Sequence, residues 1–173
     1  MEENLCLSCG LCCNGVIFGD VQLQPLDNPA RLQSLGLPLT ATADRAALKF
    51  PQPCAAHDGC RCRIYAERPI YCREFDCLLL KNVQASRLSS KAARRIIDLA
   101  RARAERVRRL LRRLGDSDET MALAARFRRT SRRLERFGLD QVTAKLYGKL
   151  TLAVHDLNRL IAKAFYPGCS PKE

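Results

Sequence analysis

Nine of the chain's ten cysteines fall between positions 6 and 77, in two runs: Cys6, Cys9, Cys12 and Cys13, then Cys54, Cys60, Cys62, Cys72 and Cys77. Thiols at that density are put to use as disulfides, as metal ligands or in redox exchange. Disulfides need an oxidising compartment, and a secreted chain opens with a basic and then an apolar segment. The sequence begins MEENLCLSCG, with neither. No stretch approaches the roughly 20 apolar residues of a membrane span. The expectation is a cytosolic chain without a membrane partner, in which clustered thiols stay reduced and ligate metal or do chemistry.

The spacing supports ligation. In Cys6-Leu-Ser-Cys9-Gly-Leu-Cys12-Cys13, a CxxC step lets two thiolates turn toward one metal, and a second step sharing Cys9 adds a third. Gly10 leaves room for backbone amides to approach the sulfurs, as in zinc knuckles and ferredoxin loops. Neighbours in extended chain point to opposite sides, so Cys12 and Cys13 both serve only if two metals or a multi-iron cluster lie close by. Otherwise one is a plain buried thiol. Nine thiols do not divide into four-ligand sites, and Cys60, crowding Cys62, is the predicted spare. Cys169 sits alone in a Pro-Gly-Cys-Ser-Pro tail and reads as an incidental thiol. His57 is either a nitrogen ligand of a Cys₃His site or a loop histidine, and His155 reads as an ordinary helix residue. Arg68 and Arg73 either offset thiolate charge or pair with Glu67, Glu74 or Asp76. Tyr65 and Phe75 read as apolar cover for the site.

The pattern CxxCGxCC, then PC and CxIYxxRPxxCRxFxC, resembles the YkgJ-type cysteine cluster family, a zinc- or iron-chelating domain. Cys6, Cys9, Cys12, Cys13, Cys54, Cys62, Cys72, Ile64-Tyr65, Arg68-Pro69, Arg73 and Phe75 carry the resemblance. It implies metal binding by those seven cysteines, with Cys77 as well, and Cys60 departs from it. Some relatives, such as the flagellin lysine methylase, are enzymes. This sequence has no G-x-G-x-x-G loop by which methylation would carry over.

The charge is as uneven as the cysteines. Residues 1–86 carry a net −1, whereas residues 87–114 carry eleven Lys/Arg against Asp98 and Glu105, most of the chain's +12. Ala93, Ile97, Ala100, Ala104, Val107, Leu111 and Leu114 step by three and four, one apolar stripe on a long helix ended by Gly115. Asp116-Ser117-Asp118-Glu119 predicts the N-cap and acidic first turn of a second helix. That helix runs to Phe137 on Met121, Ala124, Phe127, Leu134 and Phe137. Asp140 predicts the cap of a third, with the stripe Val142, Leu146, Leu150, Val154, Leu157, Ile161 and Phe165 and a stop at Pro167-Gly168. The arginines of the first helix either follow a phosphate backbone or form a solvated face whose stems cover apolar neighbours. Its stripe serves the bundle or a homodimer.

The N-terminal half is harder to read. Gly15–Phe18 and Val21–Leu23 flank the turn pair Gly19-Asp20, predicting a small hairpin. Asn28-Pro29 through Leu35 and Gly36 predicts a capped short helix. Residues 37–62 read as irregular, and a helix from Ile70 to about Leu80 carries Cys72 and Cys77.

The resulting expectation is a mainly α chain. An irregular, metal-stabilised cysteine module over residues 1–85, with its short hairpin, packs on an antiparallel three-helix bundle over 86–173. The expected function is chelation of zinc or iron, iron–sulfur included, with those metals as cofactor and partner. The competing classes are a cluster-dependent protein-modifying enzyme and a nucleic-acid-associated protein using the Arg-rich helix.

Overall fold

The computed structural model describes residues 5–59, 61–138 and 140–166. Cys60, the stop at Pro167-Gly168 and Cys169 lie outside the described residues. The chain divides into two compact units, Met1–Phe75 with Glu119–Ala124, and Asp76–Asp118 with Ala125–Glu173.

In the first unit, helix α1 (Leu5–Cys9) runs into a turn at Gly10. Strand β1 (Asp20–Gln22) joins β2 (Thr40–Ala41) and β3 (Leu48–Pro51) in an antiparallel sheet of order β1-β3-β2. The predicted hairpin is therefore wrong. Val21 faces Phe50 and Gln22 faces Lys49, while the Ile17 N–H is bonded to the Leu11 carbonyl at 3.1 Å. Residues 15–18 thus belong to the cysteine loop. The distant pairing wins because it buries Val21 and Phe50, 3% and 1% exposed, in one apolar cluster with Leu23, Leu32, Leu37 and Ala56. Lys49 Nζ meets Asp20 at 2.6 Å across the same pair of strands. Residues 37–62 hold β2, β3 and a further pair, β4 (His57–Asp58) and β5 (Arg61–Cys62). Strands of two to four residues are too short for a period of two to show in sequence.

Helix α2 (Pro29–Ser34) forms as predicted, with the Asn28 side chain accepting from the Arg31 N–H and Pro29 in the first turn. The predicted helix over 70–80 is two. Helix α3 (Ile70–Glu74) stops at extended Phe75, and α4 (Leu78–Gln84) restarts with Cys77 as its N-cap. Pro69 gives α3 no side-chain cap. Asp27 supplies the acceptor instead, taking the Ile70 N–H at 2.8 Å.

The second unit is built from α4, α5 (Ser90–Arg113), α7 (Gln141–Phe165) and most of α6 (Leu123–Phe137). The predicted stripe of α5 is buried throughout, from Ala93 to Leu114. α5 packs along α7, and α4, which the sequence reading had left out of the bundle, lies against both. Asp140 caps α7, accepting from the Val142 and Thr143 N–H groups. Leu150, Ala153, Leu157, Ile161 and Phe165 form its buried face, and Val142 stands in solvent.

The second predicted helix needs a larger correction. It starts at Leu123 and not in the acidic run, and its buried positions are Leu123, Arg126, Thr130 and Leu134, with Ala124 and Phe137 exposed. Asp116 is no N-cap. It is 4% exposed and accepts from Arg126 Nε at 2.9 Å and Arg129 Nη2 at 2.7 Å. Arg126, 1% exposed, also donates to the Asp116 carbonyl. A buried charge pair thus occupies the place where an apolar stripe was expected.

Candidate metal centre

The two cysteine runs meet through the backbone. Cys13 N–H and Asn14 N–H both bond to the Gly10 carbonyl at 3.0 Å, which coils the chain after α1. The Cys54 N–H then bonds to the Cys13 carbonyl at 2.8 Å. Gly15 follows at φ +76°, with its carbonyl accepting from the Leu123 N–H. A Cβ there would lie 2.9 Å from the Ala122 Cα and 3.2 Å from Pro53. Only glycine satisfies both the left-handed turn and this approach.

The eight described cysteines, Cys6, Cys9, Cys12, Cys13, Cys54, Cys62, Cys72 and Cys77, are not paired as disulfides. Cys6 is exposed and the other seven are half-buried. Cys54 and Cys72 pack on the apolar cluster, which strips water from their sulfurs. Burial, and then the proximity of Cys54, Cys62 and Cys9, push the Cys13 thiol up to about 12. Burial, and then Cys13, Cys54 and Cys62, do the same to Cys72, also to about 12. A buried thiolate beside other thiolates is doubly disfavoured. Cys54 is raised mainly by burial, against which the backbone N–H groups of Ala56 and His57 favour its thiolate. Cys9, Cys13, Cys54, Cys62 and Cys72 therefore share one electrostatic neighbourhood.

Cations answer it, Arg63 at Cys54 among them. Arg68 lowers both Cys13 and Cys72. Its Nε donates to the Tyr65 carbonyl at 3.0 Å, its Nη1 to the Cys72 carbonyl at 3.4 Å, and its guanidinium lies 3.7 Å from the Tyr65 ring centroid. Of the two arginines singled out by sequence, Arg68 is the one that acts on the thiols, whereas Arg73 is exposed. Glu67 pairs with Arg31 at 2.6 Å, a partner that only the fold supplies. Phe75 stands in a trio of rings, with Phe18 at 4.9 Å and Tyr71 at 6.1 Å between centroids. Phe18 gave no sequence signal. His57 faces Cys62 across β4 and β5, and His155 is exposed on α7.

Cys77 belongs to the second unit. Its Sγ accepts the Leu80 N–H at 3.5 Å, and burial raises its thiol. Among the described residues, no three His, Cys, Asp or Glu side chains stand as a finished ligand set. The donor chemistry nevertheless fits a thiophilic metal. Sulfur donors are gathered from separate segments, amide N–H groups are directed at Cys54, and a guanidinium offsets thiolate charge. Zinc or iron bound there would supply the positive charge that lets these buried thiols ionise. No helix of the described residues is long and apolar enough to cross a membrane.

A family model of cysteine-rich chains, CxxCxxCC, described as a putative zinc- or iron-chelating domain, matches residues 5–94, more than half of the chain. No curated protein matches, and no solved structure does.

Proposed function

The chain belongs to the CxxCxxCC family of zinc- or iron-chelating domains, and from that premise we propose that Cys9, Cys13, Cys54, Cys62 and Cys72 supply its metal ligands. The observation that carries this assignment is the mutual effect of the thiols. Cys13 and Cys72 are each raised to about 12, and among the causes are the same two neighbours, Cys54 and Cys62. Metal binding releases the protons that hold these thiols neutral, so binding energy becomes folding energy for the unit that contains them.

Cys6 and Cys12 extend the same CxxC loop and complete the set if the centre holds more than one metal. In the adjacent pair, the Cys13 thiol is coupled to the second run. Cys77 takes a different role, capping α4 with its sulfur. Arg68 lowers the thiols through space and fixes the Cys72 carbonyl. Zinc closes a structural or metal-handling site with four thiolates. Iron in an iron–sulfur cluster gives an electron-transfer or redox-sensing site on the same donors. A reduced, cytosolic compartment suits either.

Anaerobic purification followed by absorption spectroscopy and elemental analysis tests the reading. A brown protein absorbing near 400 nm with stoichiometric iron identifies the cluster form. A colourless protein with stoichiometric zinc identifies the other. Protein that emerges metal-free and takes up neither zinc nor ferrous iron overturns the proposal. So does full metal content after Cys13→Ser and Cys54→Ser together.

A further inference from the structure

The metal centre makes no use of the chain's most strongly charged element. On α5, the buried residues Ala93, Ile97, Ala100, Ala104, Val107 and Leu111 occupy one side. At 100° per residue, Lys91, Arg95, Arg106, Arg109 and Arg113 fall on the opposite side, and all five are exposed. Among the described residues the four arginines of this face form no ion pair. Glu105 is held on the flank by Arg108 and Arg112, the latter at 2.6 Å, and Asp98, exposed between Arg95 and Arg106, is the face's one carboxylate. The face therefore carries five cations against a single carboxylate.

That arrangement works against the helix. Arg109 and Arg113 are four residues apart and Arg106 and Arg109 three, spacings at which like charges repel. The fold does not require them, because the stripe that buries α5 is apolar and complete without them. A line of unneutralised cations is favourable where an external anion of matching length lies beside it.

We propose that this face of α5 binds the phosphodiester backbone of a nucleic-acid duplex, without reading its sequence. From Arg95 to Arg113 the face spans about 27 Å at the helical rise, a straight, rigid line suited to a rigid charged rod. No aromatic side chain stands on it to stack unpaired bases, which disfavours a single strand. The apolar side of α5 is turned into the core, and the partly exposed Leu99 alone offers no surface for insertion into lipid. Arginine is the residue suited to forked hydrogen bonds with phosphate oxygens.

The test uses the full chain, loaded with metal, and fluorescence anisotropy with a labelled 30-base-pair duplex. DNA and RNA arms name the source of the phosphate. With four phosphates neutralised, the logarithm of affinity falls with that of salt at a slope of about −4, roughly a hundredfold weakening between 50 and 200 mM salt. Replacing the exposed Arg106→Gln, Arg109→Gln and Arg113→Gln together reduces that slope by about 3 while helicity by circular dichroism stays unchanged. Replacing Lys145→Gln, Lys149→Gln and Arg159→Gln, which are exposed on α7, removes the same charge and leaves the slope as it was. No binding at 50 mM salt, binding insensitive to salt, or equal losses in both triple variants overturns the proposal. Tighter binding to phosphatidylserine vesicles than to either duplex also overturns it.

Discussion

The two units solve the same problem with opposite materials. The first has strands of two to four residues and helices of five and six, and its apolar cluster numbers only a handful of side chains. The second has helices of 24 and 25 residues that bury an unbroken stripe against each other. In the first, the groups held partly out of water are thiols whose ionisation burial opposes. In the second, they are Asp116 and Arg126, which carry opposite charges and neutralise each other. On the proposed reading one unit is completed by a metal from outside the chain, whereas the other neutralises its buried charges with its own side chains.

Removing the metal should separate them most sharply. Structural zinc contributes about 10–16 kcal/mol of apparent binding energy in small domains at neutral pH, more than a cluster of this size supplies. A strong chelator, or Cys54→Ser, should therefore lower the first unit's denaturant midpoint sharply while that of the long helices stays where it was. A single cooperative loss of both signals would erase the contrast.

Next in size is the buried ion pair. Asp116→Ala leaves Arg126 buried without its partner, which costs about 3–5 kcal/mol. Denaturant titration should show that loss in the helical signal, with metal content unchanged.

Gly15→Ala returns the test to the first unit. It forces a Cβ against Ala122 and Pro53 at a positive φ, for a loss of about 2–4 kcal/mol. The metal should bind more weakly in a competition assay, because the turn between the two cysteine runs is displaced. Asn28→Ala, which removes the cap of α2, should cost the first unit only about 1 kcal/mol, read as a small shift in its denaturant midpoint.

Alkaline pH acts on the thiols of the first unit. The folded first unit holds Cys13 and Cys72 at about 12 against an ordinary 9.0, so it favours the protonated thiol. The stability these two thiols contribute to the metal-free unit is present below pH 9 and is lost as pH climbs from 9 toward 12. Metal-loaded protein, with its ligands already deprotonated, should keep its near-ultraviolet signal through that window. If metal-free and loaded samples unfold together, the thiols are not the difference between them.

Much of the second unit was legible because its signals repeat. The stripe from Ala93 to Leu114 recurs over six turns, and the caps at Gly115 and Asp140 are local. α6 escaped because Arg126 and Thr130 occupy core positions there, and a buried arginine looks like a solvated one until its partner Asp116 is placed. In the first unit the cysteine spacing announced the chemistry. It could not announce that β1 pairs with β3, that Asp27 receives the Ile70 N–H, or that Phe18 joins Tyr71 and Phe75. Those contacts link residues that are distant along the chain, and no local pattern marks them.

The sequence by itself determined the donor type, the family, the long helices and where the positive charge lies, since each is a matter of composition or short-range period. Only the tertiary structure decided which thiols act on one another. It joined Cys13 to Cys54 by a backbone hydrogen bond, set Cys72 beside them on an apolar cluster, and aimed Arg68 at the group. A thiol's ionisation depends on the water it loses and on the charges that approach it in space, and both are fixed only when the chain has folded.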